Sequence, residues 1–212
     1  LHLHTRGSWD SLSDPEALLA RAGARGVTRL AFTDHDTLPL ALEWAARFPD
    51  AVIPGEEVRT AEGIDLIGLY LREEIPRRTP AREVIRCVRQ QGGVTYLPHP
   101  YAPGKGGGGR LAEELAPLVD VVEVFNARLH PVGRNDPARD LAHRYGRLRG
   151  AGSDAHLVGE VAGAWVELPE HPNTPDGLRW ALRRGRPAGR EASRLVHLGS
   201  TWAKLRKRLP GA

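Results

Sequence analysis

LHLHT, residues 1–5, alternates apolar and imidazole side chains. On a strand, residues i and i+2 share a face. His2 and His4 then project together, while Leu1 and Leu3 pack on the other side. Paired imidazoles make a poor apolar core and a good metal chelate. A half-exposed edge strand with its polar residues outward is the other reading, and these five residues leave both open.

Outward from that stretch, short apolar runs continue at 27–33, 51–58, 64–71, 93–98, 119–126 and 147–153, with 162–168 as an eighth candidate strand. Helical patterns fall between them at 14–26, 37–48, 79–92, 134–146 and 174–184. Asp14 and Thr79 are expected as N-caps, Pro15 and Pro80 at the first helical positions, and Gly26 and Gly92 as stops. Strand–helix alternation with short links predicts an α/β fold with a mainly parallel sheet. Some seven such units favour a closed, TIM-like barrel over an open sheet. No linker divides the chain, so residues 1–212 are expected to form one domain, with 170–212 as a helical C-terminal part.

Composition is that of an ordinary globular chain: 41% hydrophobic, 26% charged and a net charge of +4. No run reaches the length of a membrane span and no signal peptide is visible. The lone Cys87 allows no intrachain disulfide and is read as a small core residue, which fits a cytoplasmic location. The absence of Met and the core-like first residues lead us to expect a native start upstream of Leu1. YAPGKGGGGRL (101–111) lacks the order of a phosphate-binding P-loop and reads as a mobile loop, a potential substrate lid. STWAKLRKRL (200–209) reads as a basic amphipathic helix packing Trp202, Leu205 and Leu209 on the body.

Histidines and carboxylates gather at strand ends. They are His2 and His4, then Asp10, then Asp34, His35 and Asp36 in TDHD. Glu56 and Glu57 follow in PGEEV, then Asp65, His99 in LPHP, Glu123 and Asn126 in EVFN, and Asp154 and His156 in GSDAH. Singly, each has an ordinary explanation as a helix cap, turn residue or buried hydrogen-bond partner. Together they do not, because buried charges are costly unless paired or metal-bound. In a parallel barrel the C-terminal strand ends share one face, where active sites lie. About eight N/O ligands without a thiolate exceed one tetrahedral site. They suit two or three divalent ions such as Mn, Zn or Fe, and in-line displacement at phosphorus. His130, His143, His171 and His197 are placed in loops or on helix surfaces, away from this set.

HLHTRGSWDS, FTDHD, PGEEV, LPHP and GSDAH, in this order, resemble the polymerase-and-histidinol-phosphatase (PHP) superfamily. The resemblance spans residues 1–170, and IGLYLREEIP and QQGGVTYLPHPY also resemble small stand-alone members with a PHP-associated C-terminal part. It implies a distorted (β/α)7 barrel and hydrolysis of phosphomonoesters or phosphodiesters by a metal-activated hydroxide. Carried over position by position, His2, His4 and Asp154 match ligands of one ion and Glu57 a carboxylate bridging two. His99 matches a ligand of the second ion, and Asp10, His35 and His156 the set for a third. Asp65 stands where many members have a ligand His. Glu57, His35 and His156 are the expected catalytic groups, and Asp34 is expected to orient His35. Arg6, Asn126 and Arg128 are positional candidates for gripping phosphate.

The implied partner is a small phosphorylated metabolite, a nucleotide or a short nucleic acid, with no membrane. Two rival readings remain. An amidohydrolase-type barrel also opens on HxH, but its binuclear members commonly use a strand lysine, and no lysine here lies in a predicted strand. A non-catalytic PHP module binding nucleic acid is the other.

Overall fold

The structure is a computed structural model that describes residues 1–102, 106–129, 135–193 and 196–209. Six strands form one sheet in sequential order: β1 (Leu30–His35), β2 (Val52–Arg59), β3 (Asp65–Leu69), β4 (Val94–Leu97), β5 (Val121–Asn126) and β6 (Leu148–Gly152). The sheet is mixed. β1–β2, β4–β5 and β5–β6 are parallel, but β3 runs antiparallel to both neighbours. The reason is local. Only five residues join β2 to β3, which suffices for a hairpin and not for a crossover helix.

The sheet is a curled six-stranded half-barrel, and the described strands alone do not make a full closed (β/α)7 barrel. Residues 1–5 span its two edges without forming a regular strand. Leu3 makes a single parallel bridge with Ala155. Thr33 N donates to Leu3 O on the β1 side, while Asp154 N donates to His2 O and His4 N to Ala155 O beyond β6. Side chains take the other ladder positions: Thr33 Oγ1 accepts from Leu3 N, and Ser11 Oγ donates to His4 O. The eighth candidate strand also leaves the sheet. β7 (Ala164–Glu167) pairs antiparallel with β8 (Arg186–Gly189) as a separate ribbon.

Among the described residues seven α-helices flank these strands: α1 (Pro15–Gly23), α2 (Pro39–Arg47), α3 (Ala81–Gln90), α4 (Arg110–Leu115), α5 (Asp136–Arg144), α6 (Pro175–Leu182) and α7 (Val196–Arg208). Asp14 caps α1 as expected, accepting from Glu16 N and Ala17 N. Thr79 does not cap α3; its hydroxyl donates to Pro76 O, and Pro80 takes the N-cap position. α4 arises in the stretch read as a loop. Residues 103–105 of that stretch lie outside the described residues, while Gly106 O accepts from Asp65 N at 2.8 Å.

Two apolar layers hold the sheet. Phe32, Val52, Val58, Leu66, Leu97 and Val122 pack against the flanking helices. Ala31, Ile53, Ile67, Tyr96 and Val121 line the other face with Leu178 and Leu182 of α6. By the two-residue period of a strand, His35, Glu57 and Glu123 share that second face with Ala31, Ile53 and Val121. The concave face is thus apolar at one end and ionisable at the other.

The tail helix reverses its predicted orientation. Leu198, Trp202, Leu205 and Leu209 are exposed, whereas Ser200 and Ala203 are buried. Polar attachments decide this, because Lys207 Nζ donates to Arg6 O and Ser8 O. Among the described residues no helix is long and apolar enough to cross a membrane.

Candidate metal centre

Each ligand candidate is delivered by the backbone around it. In the β1–β2 register His35 stands beside Glu57. His99 follows β4 and Asp154 follows β6, both in left-handed backbone, at φ 26° and 49°. Such conformations cost about 1–3 kcal/mol for a non-glycine residue and gather at functional sites. Asp34 anchors the loop that follows His4, accepting from Thr5 N at 2.6 Å and from its hydroxyl at 2.5 Å. It therefore orients the His2–His4 segment rather than the ring of His35. Gly7 permits this contact, since a Cβ there would lie 2.5 Å from Asp34 Oδ2.

Three overlapping groups of potential ligands result: His2, His4 and Asp154; His2, Glu57 and His99; and His4, Asp10, His35 and His156. The Nε2 atoms of His2 and His4 are 3.2 Å apart. Glu57 Oε2 lies 3.1 Å from the first and 3.2 Å from the second. Asp154 Oδ1 lies 3.7 Å from the first and 3.3 Å from the second. Ligand atoms on a tetrahedral zinc, with bonds of 2.0–2.1 Å, are separated by about 3.3–3.4 Å. The spacing fits a shared cation. Glu57 also reaches outward: Oε1 lies 3.0 Å from His99 Nε2, and Oε2 is 3.2 Å from His35 Nδ1. One carboxylate thus faces four imidazoles. Asp10 Oδ2 lies 3.1 Å from His156 Nε2 and 3.6 Å from His35 Nε2.

The electrostatics point the same way. Burial alone pulls His2 and His4 toward neutrality. For His2, the charges of Glu57, Glu123 and Asp154 outweigh it and hold the pKa well above the usual imidazole range. For His4, hydrogen bonds to Asp154 and Glu57 raise it to about 10. Burial pushes Glu57 and Asp154 up, but the surrounding histidines bring both well below the usual carboxylate range. The carboxylates therefore demand positive charge on these rings. Protons and divalent ions compete for the same nitrogens, and an ion satisfies the same carboxylates. His156 behaves differently: burial, then the charge of His4, lowers it to about 4. Neutral imidazole is the ligating form.

A carboxylate absent from these groups organises them. Glu123 is fully buried and accepts from Tyr96 Oη (3.0 Å), His99 N (2.8 Å) and Asn126 Nδ2 (2.9 Å). It also faces His2 Nδ1 at 3.1 Å. With Nδ1 donating to Glu123, His2 presents its Nε2 lone pair toward Glu57, the usual way a carboxylate fixes a ligating tautomer.

Residues 133–187 match a family profile described as PHP-associated. The chain is 36% identical over 186 residues to an uncharacterized protein of Methanocaldococcus jannaschii, MJ0417, across 84% of this chain and 73% of that protein. The chain belongs to the PHP superfamily. The fold agrees with solved structures. A two-domain protein of Bacteroides vulgatus, described as containing a predicted PHP-like metal-dependent phosphoesterase, superposes with a TM-score of 0.66 at 18% identity, over 95% of this chain and 68% of that one. An amidohydrolase from Chromobacterium violaceum gives a TM-score of 0.62 at 19% identity, over 87% of this chain and 96% of that one. The PHP-associated match begins ahead of α5, well before residue 170, and the 170–212 segment contains β8 as well as helices.

Within this PHP centre, four expected residues have other partners. Asp65 stands directly across from Arg59 in the β2–β3 register. Its carboxylate pairs with that guanidinium, Nε–Oδ1 2.5 Å and Nη2–Oδ2 3.0 Å, and joins none of the three groups. Arg6 pairs with Asp14, the α1 cap. Asn126 Nδ2 contacts Glu123, and its Oδ1 accepts from Arg128 N at 2.9 Å. Arg128 is buried, with Nε 3.1 Å from Glu160 Oε1 and Nη1 2.5 Å from His156 Nδ1. It props His156 from behind. His143 and His171 enter no group among the described residues; His130 lies outside them, as does the side chain of His197. The sequence gathers Glu123 with the strand-end carboxylates but gives it no place among the matched ligands, although an acid inside the run VVEVF is itself a signal of a buried partner.

Proposed function

We propose that this protein is a metal-dependent phosphoesterase. It hydrolyses a phosphomonoester or phosphodiester of a small phosphorylated metabolite, nucleotide or short oligonucleotide. The observation that carries the reading is the position of Glu57, whose two oxygens face His2, His4 and His35 on one side and His99 on the other. A single carboxylate shared in this way suits two neighbouring cations, and paired cations suit displacement at phosphorus.

Two or three divalent ions would be held by His2, His4, Asp10, His35, Glu57, His99, Asp154 and His156. When bound, they supply Lewis acidity that polarises ester oxygens and acidifies water. The chain's own groups do the rest. Glu123 and Arg128 hold His2 and His156 in place from behind, through Nδ1. Of the expected catalytic groups His35 is the least buried, and where no ion holds it, it would pass a proton to a leaving oxygen.

The test is reconstitution. Chelator-treated protein should regain hydrolysis of generic phosphomonoesters or diesters when Mn2+, Zn2+ or Fe2+ is returned. No turnover of either ester class with any of the three ions would overturn the reading. Because one structural neighbour is an amidohydrolase, the same preparation is offered amide substrates; turnover of amides alone would favour that chemistry instead.

A further inference from the structure

We propose that Lys204, carried to the rim of the metal centre by α7, is a phosphate-binding residue of this site. Its ammonium, set against the face of Trp9, receives phosphoryl oxygens of the substrate. This rests on the phosphoesterase reading and adds a recognition element supplied by the last helix.

α7 is held against the centre by its small and polar face. Arg128 Nη2 donates to Val196 O at 3.3 Å and to Ser200 Oγ at 3.1 Å. Ala203 is buried, and Lys207 donates to the carbonyls of Arg6 and Ser8. Gly199 allows the approach, since a Cβ there would lie 2.4 Å from Leu157, the residue after His156. The helix is thus seated by contacts to residues adjoining the ligands, and its apolar stripe faces away.

Lys204 follows from that seating. Its Nζ lies 4.0 Å from Asp10 Oδ2 and 4.5 Å from the centre of the Trp9 ring. Trp9 in turn stacks on His35, with centroids 5.7 Å apart and planes at 30°. Asp10 and His35 belong to one ligand group, so the ammonium stands beside that group, aimed by an aromatic face.

Charge decides what it does there. Asp10 already accepts from Ser8 Oγ at 2.9 Å and faces two imidazoles. Once the group holds a divalent ion, the Asp10 charge is spent on it. The ammonium, on a side chain 38% exposed, then lies beside a cation and is open to an anion arriving from solvent. A phosphoryl group is such an anion, and lysine binds it as a point charge. The other cations near the opening have partners: Arg6 is paired with Asp14, Arg128 with Glu160, and Lys207 with two carbonyls.

The experiment uses the full chain loaded with Mn2+. Inorganic phosphate affinity is measured by calorimetry, ion content by elemental analysis, and KM and kcat with a phosphomonoester. Lys204→Gln should weaken phosphate binding and raise KM about tenfold with ion content unchanged, and Lys204→Arg should restore part of both. Unchanged phosphate affinity in Lys204→Gln would overturn the proposal. So would a loss of ions without a loss of phosphate binding, which would make Lys204 only a counter-charge to Asp10. Phosphate binding that depends on Lys204 in a protein that hydrolyses no phosphoester would overturn the phosphoesterase reading and leave the anion site standing.

Discussion

His2, Glu57, His99 and Glu123 are buried, whereas His35 at the end of β1 is partly buried and Trp9 and Lys204, on the loop after residues 1–5 and on α7, are more exposed. In the inner half Glu57 is placed by the β1–β2 register, and His2 is backed through Nδ1 by the buried Glu123. Glu123 alone faces His2, Tyr96, Asn126 and the backbone of His99. At the rim the holding contacts are fewer and more exposed: Trp9 is 50% exposed, and the helix carrying Lys204 shows its apolar stripe to solvent. On the proposed reading the difference separates two tasks: the inner half would hold the ions, and the rim would select the anion.

The sharpest way to break that division is Glu57→Ala. Its oxygens face histidines of all three groups, so hydrolysis should fall to background and at least one ion per chain should be lost. A variant that kept its full ion content would remove Glu57 from the bridging position. A smaller effect is expected for Glu123→Gln, which keeps the shape but weakens the hold on His2. Ion affinity, measured by competition with a chelator, should drop about 10–100-fold, as is usual when the partner of a ligating histidine is changed. An affinity equal to that of the wild type would show that the inner half does not depend on Glu123. The smallest effect belongs to Asp65→Asn. Asp65 is tied to the partly exposed Arg59, so ion content should be unchanged, and stability should fall by no more than about 1 kcal/mol in a thermal melt. Loss of an ion in this variant would return Asp65 to the ligand set.

Much of the inner half is legible in the sequence because its elements are short and contiguous. FTDH and GSDAH each place a candidate ligand within a residue or two of a strand end, HLH sets two imidazoles two residues apart, and strand periodicity predicts the face. The alternation of strands and helices also gives the α/β class and most helix positions. The orientation of β3 is less visible, since hairpin and crossover differ only in the length of a link. Asp65 shows the consequence. Its ligand reading came from its position in a strand list, but the antiparallel register sets it opposite Arg59. Arg6 and Arg128 fail for a related reason: a sequence shows that an arginine is near a ligand, not that Asp14 or Glu160 already holds it. The seating of α7 is the least legible. Its apolar stripe predicts one face down, while two carbonyl contacts from Lys207 and the missing side chain at Gly199 set the other face down.

Elemental analysis of the wild-type chain after equilibration with Mn2+ or Zn2+ and removal of free metal tests the shared-carboxylate centre most directly. The three overlapping ligand groups predict two or three ions per chain. A single ion, or none, with either metal would contradict a centre bridged by Glu57.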